Sequence, residues 1–269
     1  MRTPLYGTAW KEDETRRLTR LALEAGFRAI DTANQRRHYH EAAVGQGLAD
    51  HLTATGQARD TLFLQTKFTA RDGQDDRLPY DPRADVATQV AQSFASSLEH
   101  LGTTWIDSYV LHGPSSSTTL TDEDWQAWGA MEALHAAGKA RALGVSNVSR
   151  GQLELLLAHA RVKPAFVQNR CYARRSWDRE VRAVCARGGL VYQGFSLLTA
   201  NPEVLRHTTT RAAAARLGAT AAQVVFAFAR AVGMWPLTGT TQVAHMKADL
   251  AADSLRLAAE EVRALESLR

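Results

Sequence analysis

Cysteine is almost missing from this chain of 269 residues, which contains only Cys171 and Cys185. Their spacing fits neither a disulfide-bonded module nor a zinc site, so we expect two reduced packing residues. The most apolar predicted helix, residues 224–235, is too short to span a membrane and carries Arg230. The amino terminus lacks the apolar core of a signal peptide. We therefore expect a soluble, cytoplasmic protein with no metal site and no membrane contact.

The sequence also lacks a continuous basic stripe. Its 32 lysines and arginines are scattered among 28 acidic residues, which gives a net charge of +4. Such a mixture is typical of a solvated surface, and the chain carries no recognisable nucleic-acid-binding motif. We therefore expect no nucleic-acid partner.

Proline is scarce, with 7 residues in the whole chain, and long polar breaks are scarce as well. The only long break, residues 69–82, lies between an apolar strand and an amphipathic helix, where a barrel places a loop. With 45% hydrophobic residues, the chain can bury a large core. We therefore expect one domain that spans residues 1–269.

The sequence is rich in short apolar runs that alternate with helical patterns. The predicted strands are residues 5–9, 27–33, 62–67, 106–112, 142–147, 165–169, 190–196 and 234–238. Repeated right-handed crossovers close such an α/β chain into a (β/α)8 barrel. An open doubly wound sheet is the alternative, but the first strand-to-helix turn, Gly7-Thr8-Ala9-Trp10, lacks the Gly-x-Gly-x-x-Gly fingerprint for a pyrophosphate.

Polar residues stand at the carboxyl ends of these strands, and in a barrel all such ends meet at one mouth. They are Asp31, Lys67, His112, Ser146, Asn147, Gln168 and Asn169. Taken singly, each has an ordinary structural explanation, such as a cap, a lysine that reaches water or a half-buried histidine. An acid, an amine and an imidazole on three neighbouring strands, however, form a proton-handling set, to which Tyr39 adds a phenol.

Five short motifs surround these polar residues. They are Gly26-Phe27-Arg28-Ala29-Ile30-Asp31-Thr32-Ala33, Glu41 with Val44-Gly45, Thr66-Lys67, Leu111-His112 and Gly144-Val145-Ser146-Asn147. In this order and combination they resemble the aldo-keto reductase family, and the similarity runs from Gly7 to about Leu250. The resemblance implies a (β/α)8 TIM barrel that binds an extended nicotinamide cofactor without a Rossmann motif. It also implies carbonyl reduction by a tetrad of Asp, Tyr, Lys and His.

The resemblance assigns three members of that tetrad directly. They are Asp31, Lys67 and His112. The tyrosine is displaced, because the usual position five residues after the aspartate holds Arg36. Counting back from Glu41 across a loop two residues longer than usual points instead to His38, with Tyr39 beside it. We predict that Tyr39 is the proton donor, because the chemistry needs a phenol.

We expect Lys67 to tune this phenol. An adjacent ammonium lowers the pKa of a phenol, which is ordinarily about 10. Asp31 would keep Lys67 protonated despite partial burial. A neutral His112 would orient the carbonyl oxygen through a hydrogen bond, while Tyr39 protonates the developing alkoxide.

The resemblance also implies a set of cofactor contacts. Ser146, Asn147 and Gln168 would hold the nicotinamide carboxamide. Phe195 would stack on the nicotinamide ring, with an ordinary core phenylalanine as the alternative. The other predicted contacts are Gly7, Thr8, Ser196, Leu198, Thr238, Gly239, Thr240 and His245.

Cofactor preference depends on residues 236–247. NADPH-preferring members of the family resemble one another here in a lysine and an arginine that grip the adenosine 2′-phosphate, whereas this chain has Leu237 and His245 at those positions. The Thr238 hydroxyl, free backbone N–H groups, a nearby helix N-terminus and Lys247 remain available to a phosphate. We predict NADPH as cofactor, with NADH also used. The modest preference should strengthen in acid as His245 gains its charge.

Two other functions stay open. A lysine at a strand end beside an acid and a tyrosine also suits a Schiff-base aldolase-type barrel that uses Lys67. A barrel of this kind can also serve as a non-catalytic nicotinamide-binding regulatory subunit. We place the reductase first, and with it we expect a small-molecule carbonyl substrate and a monomer.

Overall fold

Eight parallel strands form a closed barrel in the computed structural model, which describes residues 3–268. Each strand pairs with the next along the chain, and the last strand pairs with the first. The predicted (β/α)8 barrel is therefore confirmed. The strands are β1 (Leu5–Gly7), β2 (Ala29–Asp31), β3 (Phe63–Phe68), β4 (Ser108–Leu111), β5 (Leu143–Ser146), β6 (Phe166–Arg170), β7 (Val191–Phe195) and β8 (Met234–Thr238).

Helices alternate with the strands. They are α1 (Thr15–Ala25), α2 (Glu41–Thr55), α3 (Val86–Leu101), α4 (Asp122–Ala136), α5 (Arg150–His159), α6 (Arg179–Gly188), α7 (Pro202–Arg206), α8 (Thr208–Leu217), α9 (Ala221–Ala231), α10 (Val243–Ala251) and α11 (Ala259–Glu266). Over residues 3–268, no single helix has the length and apolarity to cross a membrane. Only α8 and α9 taken together do, and they are bent by 95°.

Two features of the helices differ from the predictions. The predicted helix 224–235 is wrong at its end, because α9 stops at Ala231 and Gly233 then turns the chain into β8 with a φ of 83°. Helices α7 and α8 are not predicted from the sequence. Helix α7 has only five residues, and α8 is rich in alanine, so neither shows a clear periodic stripe of large apolar residues.

Capping boxes begin α4 and α5. The Thr121 hydroxyl accepts a hydrogen bond from the Asp124 N–H, and the Asp124 carboxylate accepts one from the Thr121 N–H. Ser149 and Gln152 make the same exchange in α5. Such a cap is worth about 1 kcal/mol. Helix α4 packs against β4 and β5 and supports the strands that end in the site.

The two cysteines pack in the core, as the sequence predicts. Cys171 and Cys185 are free and buried. Burial raises the pKa of both thiols to about 12, which disfavours the reactive thiolate. Trp128 and Met131 of α4 are also fully buried. Within residues 3–268, no group of three or more His, Cys, Asp or Glu side chains is placed to hold a metal ion.

The interior of the barrel changes from apolar to polar along its axis. Near the amino ends of the strands, the interior is filled by Leu5, Ala29, Phe63, Phe166 and Trp235. Closer to the carboxyl ends, the buried side chains are Asp31, Gln65, Lys67, Gln168 and Gln193. Because branched apolar residues usually fill such barrels, this polar layer marks the end that carries chemistry.

Candidate active site

Asp31 and Lys67 form a buried ion pair on the neighbouring strands β2 and β3. Lys67 Nζ donates to both carboxylate oxygens of Asp31 and to the Thr32 carbonyl, each at 2.8 Å. Burial lowers the pKa of Lys67, and the Asp31 carboxylate opposes that change. Because all three ammonium protons have partners, the charged pair can persist inside the barrel.

Both candidates for the proton-donor position border the same cavity, but they have different neighbours. The centre of the Tyr39 ring lies 5.3 Å from Lys67 Nζ and 6.0 Å from the centre of the His112 ring. The His38 ring packs against Trp10 instead, with 4.0 Å between the ring centres. The structure therefore groups Tyr39 with Lys67 and His112.

The electrostatics of Tyr39 differ from the sequence-based expectation. Burial raises the pKa of Tyr39, and the Asp31 carboxylate raises it further. The expected lowering by Lys67 is absent, because the ammonium is paired with Asp31 at 2.8 Å and its charge is largely cancelled. The phenol therefore stays protonated throughout the physiological pH range.

His112 follows β4 and is held as a neutral ring. Burial lowers its pKa to about 3, with a further contribution from the Lys67 ammonium. Its Nδ1 lies 2.6 Å from the Thr69 hydroxyl, and Asn147 Nδ2 donates to its backbone carbonyl at 2.8 Å. When the Thr69 hydroxyl donates to Nδ1, the ring proton resides on Nε2, which is then the donor available to a ligand.

A cavity of about 770 Å³ connects this cluster to the carboxyl ends of β5 to β8. Asp31, Tyr39 and His112 line it, whereas Lys67 is enclosed beside Asp31. The predicted cofactor contacts that line this cavity are Gly7, Ser146, Asn147, Gln168, Phe195, Ser196, Leu198, Thr238, Gly239, Thr240 and His245. Thr8 differs from the prediction, because it is fully buried and its hydroxyl donates to the Asp31 backbone carbonyl at 3.0 Å.

Three wall residues adopt left-handed backbone conformations that residues other than glycine rarely take. They are Trp10, Asn147 and Ser196, with φ values of 61°, 53° and 56°. Such conformations concentrate at functional sites. The Asn147 amide nitrogen is already bonded to the His112 carbonyl, so its Oδ1 is the atom left to accept a hydrogen bond from a ligand. Ser146 Oγ donates to the Gln168 backbone carbonyl at 2.6 Å.

The far end of the cavity is formed by residues 238–245, which we call the β8 turn. The Thr238 hydroxyl, expected to be free for a phosphate, donates instead to Asp249 Oδ2 at 2.7 Å. Burial raises the pKa of Asp249 to about 6. Lys11 Nζ donates to the Gly239 carbonyl at 2.7 Å, and burial lowers the pKa of Lys11 to about 8. The turn thus has a buried acid and a buried amine that the sequence patterns did not reveal.

The family follows from comparison with known proteins. The model of the Aldo/keto reductase family matches residues 2–269. This chain belongs to the aldo/keto reductase family. An aldo-keto reductase of Mycolicibacterium vanbaalenii is 30% identical to it over 248 residues, covering 92% of this chain and 80% of that protein. Deoxymugineic acid synthase 1-D of Triticum aestivum is 29% identical over 272 residues, covering 93% and 81%.

Solved structures of other aldo/keto reductases share the fold. An aldo/keto reductase from Brucella melitensis superposes with a TM-score of 0.82 at 24% identity, covering 98% of this chain and 94% of the other. An aldo-keto reductase of Bombyx mori, in complex with NADP, superposes with a TM-score of 0.80 at 23% identity, covering 98% and 88%. At these identities the likeness establishes the barrel architecture.

Sequence reasoning missed several polar residues of this aldo/keto reductase. Lys11 is one of 32 lysines and arginines and belongs to no recognisable motif, so no sequence signal distinguishes it. Gln65 and Gln193 had a usable signal, and both are fully buried. Gln193 follows the apolar run Leu190-Val191-Tyr192, and Gln65 lies two residues before Lys67 and so on the same face of β3. Arg170, the last residue of β6, lines the cavity beside its β7 partner Phe195 and was also missed.

Proposed function

We propose that this aldo/keto reductase reduces aldehydes or ketones to alcohols with NAD(P)H. The observation that carries the proposal is the cluster at one end of the 770 Å³ cavity. There, a protonated phenol, a neutral imidazole and a buried Asp–Lys pair lie on adjacent segments. This set can donate a proton to a carbonyl oxygen and stabilise the charge that forms on it.

The rest of the cavity fits an extended nicotinamide cofactor. Phe195 offers an aromatic face, and Asn147 and Gln168 offer amide oxygens for a carboxamide. The β8 turn and Lys11 offer backbone N–H groups and a cation for an anionic end. When bound, the nicotinamide supplies the hydride. The NADP complex of the Bombyx mori relative supports NADPH as the cofactor of this chain.

In this mechanism Tyr39 donates its hydroxyl proton to the carbonyl oxygen as charge develops there. The raised pKa of Tyr39 keeps the donor protonated at neutral pH, and the Asp31–Lys67 pair lies beside its ring, with Lys67 Nζ 5.3 Å from the ring centre. His112 Nε2 donates a hydrogen bond to the same oxygen and orients it. Asp31 holds Lys67 in place and charged.

The structure favours this reaction over a Schiff base on Lys67. Nucleophilic attack needs a free, deprotonated amine that reaches the substrate. Lys67 has three hydrogen-bond acceptors at 2.8 Å, its side chain is 1% exposed, and it is enclosed beside Asp31. Borohydride trapping with a carbonyl substrate checks this point, because a covalent adduct on Lys67 would contradict the reductase mechanism.

The direct test is a panel of aldehydes and ketones assayed for oxidation of NADPH and of NADH. We expect turnover of several carbonyl compounds and loss of turnover in Tyr39→Phe. Tight nucleotide binding without turnover of any compound would instead favour a regulatory subunit. Gel filtration with light scattering tests the predicted monomeric state.

A further inference from the structure

Three buried glutamines form a hydrogen-bonded network beneath the proposed active site. Gln65 lies beside Asp31 in the β2–β3 pairing, and Gln168 lies beside Gln193 in the β6–β7 pairing. The two pairs meet across the barrel interior, where Gln65 Nε2 donates to Gln193 Oε1 at 2.8 Å and Gln193 Nε2 donates to Gln65 Oε1 at 3.0 Å. Gln65 and Gln193 are both 0% exposed.

The acceptor in this network that fixes the amide orientations is the Asp31 carboxylate. Gln65 Nε2 donates to Asp31 Oδ1 at 2.7 Å, and Gln168 Nε2 donates to the same oxygen at 3.0 Å. Because an ionised carboxylate only accepts hydrogen bonds, both glutamines must present their NH₂ groups to it. The network therefore fits Asp31 as a carboxylate, the form that also pairs with Lys67.

Gln193 fixes the second proton of the Gln168 amide. Gln168 Nε2 also donates to Gln193 Oε1 at 3.0 Å, so both of its protons are committed inside the barrel. Gln168 lines the cavity, and the part of its amide still free for a ligand is the acceptor Oε1. A rotated Gln168 would place oxygen against the Asp31 carboxylate, which is repulsive.

We propose that Gln193 and Gln65 are positioning residues that fix Gln168 with its oxygen toward the cavity. In this orientation Gln168 accepts from the NH₂ of a carboxamide and so selects the bound orientation of the nicotinamide. The inference rests on the proposed function, because it requires a nicotinamide in this cavity. It extends that function to two residues that touch neither substrate nor cofactor.

A purely structural role explains this network less well. Apolar side chains fill a barrel interior with no need for partners, and replacing a buried polar cluster with them is often neutral or stabilising. Here five hydrogen bonds link three amides and one carboxylate, and the cluster ends at a side chain that faces the cavity. Satisfied networks of this kind specify one arrangement of their members.

The test compares the binding of two oxidised nucleotides, so it does not depend on turnover. The probes are NADP⁺ and its 3-acetylpyridine analogue, in which a methyl group replaces the carboxamide NH₂. Titration of intrinsic fluorescence gives Kd for each. For the wild type we expect NADP⁺ to bind about fivefold more tightly, the value of one neutral hydrogen bond. In Gln193→Met, Gln168 keeps Asp31 as an acceptor but loses the acceptor of its second proton, so its oxygen is held less firmly toward the cavity and this ratio should fall to about two.

Gln152→Met is the matched control, because Gln152 is equally buried but belongs to the α5 cap, away from the cavity. It should lose stability and keep the wild-type ratio. Gln65→Met, which removes the acceptor of Gln193 Nε2, should lower the ratio in the same direction and serves if Gln193→Met does not fold. A wild-type ratio in either folded variant overturns the proposal. A wild-type protein that binds neither nucleotide contradicts the proposed function instead.

Discussion

Lys67 Nζ lies 2.8 Å from both carboxylate oxygens of Asp31 and 5.3 Å from the centre of the Tyr39 ring. One cation thus contacts both the acid and the phenol of the proposed site. Pairing with Asp31 leaves the pKa of Tyr39 raised rather than lowered. Because Asp31 balances the ammonium, Lys67 gives the phenolate little net stabilisation, and the phenol keeps its proton until a carbonyl oxygen accepts it.

Tyr39→Phe should abolish carbonyl reduction and leave nucleotide binding intact, because only the proton donor is lost. General acid catalysis is worth about 10²–10⁴-fold, so kcat should fall by that factor. Steady-state kinetics and fluorescence titration with NADPH measure the two effects separately. His38→Ala is the matched variant, since it removes only the ring packed on Trp10. The reverse pattern, in which the Tyr39→Phe variant is active and the His38→Ala variant is inactive, would move the donor to His38.

Asp31→Asn should destabilise the fold as well as inactivate the enzyme. It leaves the Lys67 ammonium buried without a counter-charge, and breaking a buried pair in this way costs about 3–5 kcal/mol. The double variant Asp31→Leu/Lys67→Met should recover part of that loss while staying inactive. Urea denaturation gives the free energies of unfolding. Arg16→Ala, which breaks the exposed Arg16–Asp50 pair, provides a control with an expected effect below about 1 kcal/mol. Equal losses in Asp31→Asn and Arg16→Ala would show that the buried pair has little influence.

Because His112 is neutral, we expect the plot of kcat against pH to show no fall in acid that is caused by this residue. Because burial lowers the pKa of His112 to about 3, protonation of this residue should not reduce kcat between pH 8 and pH 5.

The lowered pKa of His112 also has a consequence for folding, since an unfolded histidine titrates at about 6.5. A depressed histidine pKa contributes stability above pH 6.5 that is lost as the pH falls toward 3. Thermal unfolding of the wild type and of His112→Gln from pH 8 to 4 should therefore converge in acid. A difference in unfolding temperature between the two proteins that stays constant from pH 8 to 4 would contradict the lowered pKa of His112.

The barrel and the members of the cluster were predictable because both depend on local patterns. Apolar runs that end in Asp31, Lys67 and His112 identify strands and their carboxyl ends without any long-range information. The Tyr39 loop was harder, because a two-residue difference in length leaves two neighbouring side chains as candidates. Its place beside His112 depends on how the loop folds over the mouth, which the spacing does not encode.

The remaining features depend on contacts between distant segments. The pKa of Tyr39 was predicted in the wrong direction, since the cancellation of Lys67 by Asp31 is a matter of distances. The Thr238–Asp249 bond and the position of Lys11 beside Gly239 join residues from different elements. The Gln65–Gln193 contact joins residues 128 positions apart, so no local pattern reveals it.

The charges at the β8 turn should control the choice between NADPH and NADH. From the resemblance to the family, we expect this end of the cavity to receive the adenosine 2′-phosphate. Lys11, with a pKa of about 8, offers a cation there at neutral pH and loses it as the pH rises through 8. Asp249, with a pKa of about 6, is an anion above pH 6 and repels a phosphate, whereas below pH 6 it is neutral. Both groups therefore make the preference for NADPH fall as the pH rises, in two steps near pH 6 and pH 8.

We accordingly expect dual cofactor use with a modest preference for NADPH that is strongest in acid. A charged hydrogen bond is worth roughly 1.5–3 kcal/mol, so Lys11→Met should reduce the NADPH-over-NADH ratio of kcat/KM by about 10- to 150-fold at pH 7. It should also remove the step near pH 8. Asp249→Asn should raise the ratio above pH 6 and remove the part of the acid step that Asp249 contributes. Measurements of kcat/KM for both cofactors from pH 5.5 to 9 resolve the two steps.

Lys247→Met is the control, because that lysine is exposed on α10 outside the cavity wall. A pH-independent preference for NADPH above a thousandfold would mean that another cation binds the phosphate. Arg170, which lines the cavity wall, would then be the first residue to replace.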